Sequence, residues 1–500
     1  LTARRAAPDF VRSMPAVLAT NRRATVFALL ASIAMSALEA TVVGTAMPTV
    51  IADLGGIDRY GWVGAAYMLA STVSMPLYGK LADLYGRRPT LIFGIVLFCI
   101  GSFGSGAAVS MDMLIVARGI QGLGAGAMQP VAMTIVGDLY SLEERSKVQA
   151  LFGSVWGISG IAGPILGGLI VATIGWPWVF WVNLPLGVIA IVMLLRSYHE
   201  AARPPAKISI DWLGALVLTA ASIAILIGAE RELPWLTIPL GIALSVAFIL
   251  IERRATSPVL PLALVMRRGI AVASASSLLL GAAMMAAVMF VPLFAQGVLG
   301  ASAPEAGATI APMLVGWPIA AAMTSRTLTR IGFRIPVIVG SIVVVIGLSI
   351  VAALAHPGAN IWALRGGMFV YGLGMGFTLT AQILAVQSSV EMRERGVATA
   401  TNLFARSMGG ALGAGALGAV FTAALGDRLP PETVAMLLDP HRRAGVSSDA
   451  VRDALSAGLS PIFVTGAALG VIALAVSFLY PRDVRREAAA PMEPIATSAE

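Results

Sequence analysis

Long apolar runs recur from residue 25 to residue 480, and short polar segments carrying Arg or Lys separate them. This pattern constrains the chain more than any other feature. A bilayer crossing takes about 20 mainly apolar residues, because in hydrocarbon every backbone polar group must be bonded within the protein. The runs lie at 25–50, 61–79, 90–109, 113–137, 149–172, 177–195, 211–228, 236–251, 269–296, 306–325, 335–355, 361–386, 396–421 and 459–480, fourteen in all. The seventh and eighth are short, and Pro234 and Pro239 crowd the turn between them. The first run contains Glu39 and is followed by many others, so it reads as the first of a series and not as a cleaved signal peptide.

Hydrophobic residues make up 58% of the chain and charged residues 12%, against about 25% charged in soluble domains. A soluble globule is thereby excluded, and the mass belongs in lipid. The net charge of +8 and the pI near 10 do not indicate a nucleic-acid partner, because the cations recur between apolar runs instead of forming a patch. With the amino terminus in the cytoplasm, 25 of the 34 Lys and Arg residues fall on the inner side. That asymmetry predicts both termini inside and an even number of crossings.

Cys99 is the one cysteine and lies in an apolar run, while His199, His356 and His441 are far apart. No metal site or other cofactor is expected. No compact Ser, His and Asp arrangement suggests an enzyme, no Walker A pattern suggests ATP hydrolysis, and no filter motif suggests a channel.

The chain repeats itself. Gly122-Leu123-Gly124-Ala125-Gly126 recurs as Gly372-Leu373-Gly374-Met375-Gly376, Glu144-Arg145 recurs as Glu394-Arg395, and Gly163 and Gly168 match Gly413 and Gly418. The matches preserve direction. They predict an all-alpha polytopic protein of two parallel six-helix bundles plus two additional helices, with substrate held between the bundles. The expected organisation is a tail at 1–24, a bundle at 25–200, a two-helix insertion with linkers at 201–268, a second bundle at 269–480 and a tail at 481–500. A polar segment at 422–458, with Pro430 and Pro431, reads as an outward loop or small hairpin.

Gly79-Lys80-Leu81-Ala82-Asp83-Leu84-Tyr85-Gly86-Arg87-Arg88 joins the second and third runs. It resembles the loop signature of the major facilitator superfamily, with Gly79, Asp83, Gly86, Arg87 and Arg88 in place. Leu38 through Pro48 resembles the first-helix signature of the fourteen-helix drug:proton antiporters, Arg118-Gly119-Ile120-Gln121-Gly122-Leu123-Gly124 the fourth-helix signature, and Gly163-Pro164-Ile165-Leu166-Gly167-Gly168 the fifth-helix antiporter motif. The resemblance covers almost the whole chain. It implies a major facilitator fold and alternating access driven by protons. Two departures stand out: Glu39 occupies a position usually held by Asp, and Gly44 one where Asn is common.

Glu39 lies near the middle of an apolar run, where a carboxylate must protonate, pair or face water. It reads as a proton-exchanging group, an anchor for cationic substrate, or a structural hydrogen-bonding residue. Arg118 cannot readily discharge, so it needs water, a carboxylate or helix carbonyls. The resembling family associates it with coupling, and Gln121 is one turn along the same face. Gly153 and Gly157, then Gly163 and Gly167, leave two grooves at four-residue spacing, with a bend expected at Pro164. Gly168 completes the motif, and the segment reads as gating or as packing. Arg406 falls within the thirteenth run as a substrate filter or a salt-bridge partner.

The expected function is proton-coupled export of amphiphilic or cationic drugs. The alternative is dedicated export of a metabolite, siderophore, lipid or cell-envelope component. The expected partners are protons, such substrates and membrane lipids, for a functional monomer in a bacterial inner membrane.

Overall fold

Polar caps and prolines divide the apolar runs into helices. In the computed structural model, residues 20–56, 59–200, 211–229, 234–255, 257–426 and 449–482 are described. The expected linker at 201–210, residues 1–19 and 483–500 of the tails, and most of the 422–458 loop, with Pro430, Pro431 and His441, lie outside them. The helices are α1 (Arg22–Leu54), α2 (Tyr60–Tyr85), α3 (Arg87–Gly106), α4 (Met111–Leu139), α5 (Leu142–Thr173), α6 (Pro177–Trp181), α7 (Asn183–Ser197), α8 (Trp212–Ala229), α9 (Pro234–Glu252), α10 (Leu262–Val265), α11 (Arg268–Gly297), α12 (Ala303–Gly307), α13 (Ala311–Ile331), α14 (Arg334–Ala353), α15 (Ile361–Ser388), α16 (Arg395–Gly426) and α17 (Asp449–Phe478).

The starts of these helices follow from local chemistry. Asn21 accepts a hydrogen bond from the Ala24 amide, Ser110 from Met113 and Asn360 from Trp362, each satisfying an amide of the first turn. Ser141 and Glu144 form a capping box, so α5 begins at Leu142, seven residues before the apolar run at 149–172. The expected run at 177–195 is two helices, α6 and α7. Pro185 has no amide to offer the Trp181 carbonyl, which favours the break at Val182.

Among the described residues, ten helical segments are long and apolar enough to cross a membrane, or eleven if the two parts of α5 count as one bent span. Those parts, Leu142–Gly160 and Ile165–Thr173, meet at 47°, with Pro164 in the sequence between them. The architecture is all-alpha and polytopic.

The glycine repeat has a structural counterpart in close helix packing. A Cβ on Gly122 or Gly126 would stand 2.4 Å from the Tyr67 carbonyl oxygen or 2.7 Å from that of Ser71, so these residues press α4 onto α2. Gly372 and Gly376 likewise press α15 onto α13, at 2.3 Å from the Met313 and Trp317 carbonyl oxygens. Gly124 meets α3 at Phe98, and Gly374 meets α14 at Val344. Small residues let backbones approach where apolar side chains gain nothing by leaving lipid.

One end of the bundle carries the start of α1 and the end of α2. There a single apolar core joins the two halves, running from Leu29, Leu91 and Val136 to Ile270, Val337 and Leu384. At the opposite end each half has its own core. One is built around Val43, Val63 and Phe180, the other around Phe294, Tyr371 and Phe463.

Candidate functional site

Inside the amino-terminal half, four helices bring a charge pair together. Glu39 projects from α1 and Arg118 from α4, and the guanidinium Nη1 donates to the Glu39 carboxylate. Arg118 Nη1 also donates to the Gln121 side-chain oxygen, and Nε donates to the Val63 carbonyl of α2 at 3.2 Å. The guanidinium carbon lies 4.4 Å from the centre of the Tyr67 ring, a cation–π contact that adds to its stabilisation.

The second carboxylate oxygen of Glu39 accepts from the Asn183 amide at 2.7 Å, and Gln121 donates to Ser102 Oγ at 2.7 Å. Glu39 and Arg118 are 2% and 3% exposed. A lone charge at that depth costs about 2.5–3.5 kcal/mol on insertion scales. Pairing and the hydrogen bonds to Gln121, Val63 and Asn183 offset that cost.

Asn183, Ser102 and Tyr67 join the site from outside the sequence motifs. Asn183 had a signal, since it is an amide within the apolar run 177–195. Ser102 and Tyr67 had none, because such residues are common in membrane helices.

The glycines of α5 serve two different contacts. A Cβ on Gly163 would stand 2.1 Å from Thr41 Oγ1, and one on Gly167 2.2 Å from Thr45 Oγ1, so this part of α5 lies directly on α1. Thr41 Oγ1 also donates to the Ser159 carbonyl at 3.0 Å. Gly153 and Gly157 face the other half, at Pro318 and at the Leu314 carbonyl of α13. Gly168 has nothing within 4 Å of a Cβ and takes no part in either contact. Gly44 is likewise open.

A second charged group spans the halves where their core is continuous. Arg87, fully buried, pairs with Asp83 and Asp138 at 2.9 Å each and donates to the Met392 carbonyl in the second half. Asp138 also pairs with Arg395 at 3.0 Å, and the Asp83 carboxylate accepts from the Gly396 and Val397 amides at 3.1 and 2.8 Å. Asp83 sits beyond the apolar part of α2, and burial pushes its carboxyl up to about 7 against the opposing pull of Arg87.

Close backbone approach makes that junction possible. A Cβ on Gly79 would stand 2.7 Å from the Gly396 carbonyl oxygen. Gly86 adopts φ +102, and its neighbours Arg87 and Arg88 donate their amides to the Glu200 carboxylate. The Arg88 side chain turns to the Leu195 carbonyl of its own half.

Arg406 stands apart from both groups. It lies on α16 and donates to the Gln129 side-chain oxygen of α4 at 3.3 Å, across the seam between the halves. Among the described residues, no group of three His, Cys, Asp or Glu side chains is placed to hold a metal ion.

The family model described as Major Facilitator Superfamily matches residues 29–414. The chain is 34% identical over 496 aligned residues to "Multidrug resistance protein 3" of Bacillus subtilis (strain 168), covering 93% of this chain and 96% of that protein. It is 34% identical over 427 residues to "Multidrug transporter protein MdtP" of the same organism, covering 84% of this chain and 79% of that one.

Among solved structures, the human organic anion transporter MFSD10 superposes with a TM-score of 0.63 at 15% identity, covering 91% of this chain and 99% of that one. The proton:xylose symporter XylE gives 0.62 at 14% identity, covering 94% and 99%. At those identities the likeness is one of fold. Sequence and fold agree: the chain belongs to the Major Facilitator Superfamily and is a multi-pass membrane protein that transports small molecules.

Proposed function

We propose that the protein is a proton-coupled antiporter that exports small amphiphilic molecules by alternating access. The observation that carries this reading is the buried Glu39–Arg118 pair. Among the described residues, Glu39 is the one carboxylate in the middle of a long apolar helix. Protonation would cancel its charge and leave Arg118 to find other acceptors, so proton occupancy selects between arrangements of α1, α4 and α7. Because α1 rests on Gly163 and Gly167, and Gly153 and Gly157 of the same α5 meet α13, a shift of α1 has a packed route to the other half. Its carboxylate points to Arg118 and Asn183, which favours coupling over direct attraction of cationic substrates.

Export is supported by the relatives named as multidrug resistance and multidrug transporter proteins. The reading includes fourteen crossings, bundles at 25–200 and 269–480 flanking the α8–α9 insertion, both termini in the cytoplasm of a bacterial inner-membrane protein, and a functional monomer. Two features support that count. The 26-residue α2 and 29-residue α4 are long enough to cross, though more polar than the ten apolar segments, and the 18-residue α8 is apolar throughout.

The experiment is simultaneous measurement of proton and substrate flux in proteoliposomes with an imposed pH gradient, using ethidium and 1-pyrenebutyrate as trial substrates. Wild type should exchange substrate for protons, and Glu39→Gln should lose gradient-driven exchange. Equal gradient-driven fluxes in the two proteins overturn the assignment.

A further inference from the structure

Arg406 is eleven residues into α16 and Gln129 ten residues from the end of α4. At 1.5 Å per residue each lies about 15–17 Å from the end of the bundle where the halves join, near mid-membrane. Both side chains are partly exposed, so packing does not fully close the seam between the halves at this depth. The Glu39–Arg118 pair is farther along, roughly 16 Å from Gln129 as measured on α4, and its carboxylate is fully engaged.

Among the described residues, the guanidinium of Arg406 meets one side-chain partner, the neutral Gln129 oxygen, and pairs with no carboxylate. Arginine keeps its charge here, and a guanidinium between apolar helices needs water, helix carbonyls or an anion. Among the described residues, the surroundings supply no anion. Ser407 points its hydroxyl toward the Met75 sulfur at 3.8 Å, and one turn along α16 a Cβ on Gly410 would lie 3.9 Å from the Met285 methyl. Thioether walls adapt to many apolar shapes and provide no countercharge.

We infer that the seam at Arg406 and Gln129 is the substrate headgroup site, and that it takes amphiphilic organic acids, with the anionic group paired to Arg406 and the apolar body against Met75 and Met285. This inference deepens the exporter reading and rests on it, since it names the substrate class. The charge presented to a molecule in the seam is positive, so anions are favoured over cations of the same shape.

The test measures binding without any gradient, and so stands apart from the flux assay on Glu39. Quenching of tryptophan fluorescence in nanodisc-embedded protein is titrated with 1-pyrenebutyrate, its methyl ester and the matching trimethylammonium compound. Wild type should bind the carboxylate about tenfold or more tightly than either analogue, the scale expected for a charged hydrogen bond. Arg406→Gln should reduce that preference to about twofold or less without weakening the ester, and Arg406→Lys should keep part of it. Equal binding of the three compounds by wild type overturns the inference without recourse to any variant. An unchanged preference in Arg406→Gln, or an equal loss for all three compounds, also overturns it.

Discussion

The guanidinium of Arg118 and the carboxylate of Glu39, 79 residues apart in sequence, are each other's counterion in the interior of the amino-terminal half. Removing one charge strands the other away from water. Arg118→Met should therefore destabilise the protein by about 3–5 kcal/mol, whereas Glu39→Gln/Arg118→Met should recover most of that loss. Thermal midpoints of the purified proteins in one detergent check this, and additive losses would mean that the pair is not coupled. Glu39→Asp keeps a titratable group but shortens the reach, and should retain partial exchange in the flux assay.

Two adjacent glycines of α5 should behave in opposite ways. Gly167→Leu drives a side chain into Thr45 and Val42 of α1, an overpacking that costs about 1–3 kcal/mol. It should lower transport and raise proton leak. Gly168 is exposed and a Cβ there meets nothing within 4 Å, so Gly168→Leu should match wild type. Thermal midpoint and leak rate in the same vesicles separate the two, and normal leak with normal transport in Gly167→Leu would remove any gating role from this contact.

Asp138 holds Arg87 of one half and Arg395 of the other, so Asp138→Asn should loosen the end where the halves share a core. Val397 is 3% exposed there. In a Cys99→Ser background, a Val397→Cys protein in nanodiscs should react with maleimide at least severalfold faster once Asp138→Asn is added. An unchanged rate would show that apolar packing alone keeps this end closed.

Topology yields to reporter fusions. A reporter after Glu500 should lie in the cytoplasm, and one inserted between Gly426 and Ala457 should lie outside. The opposite location at either site would overturn the orientation or the number of crossings.

The sequence by itself determined that this chain lives in a membrane, which stretches are apolar enough to form its helices, and which charges are out of place there. Apolar length fixes a crossing, and a charge within it is conspicuous because hydrocarbon offers no solvation. Glu39, Arg118 and Arg406 were legible for that reason, as were Gly153, Gly157, Gly163 and Gly167 of α5, whose four-residue spacing marks a close-packing face. Only the tertiary structure decided which groups meet. Spacing along one helix sets a residue's depth and face but carries no information about which other helix that face touches. Thus Asn183 reaches Glu39 only because α7 packs beside α1, Asp83 caps the amides of Gly396 and Val397 only because Gly79 lets α2 close on α16, and Arg406 meets an amide instead of a carboxylate only because α16 crosses α4 at Gln129.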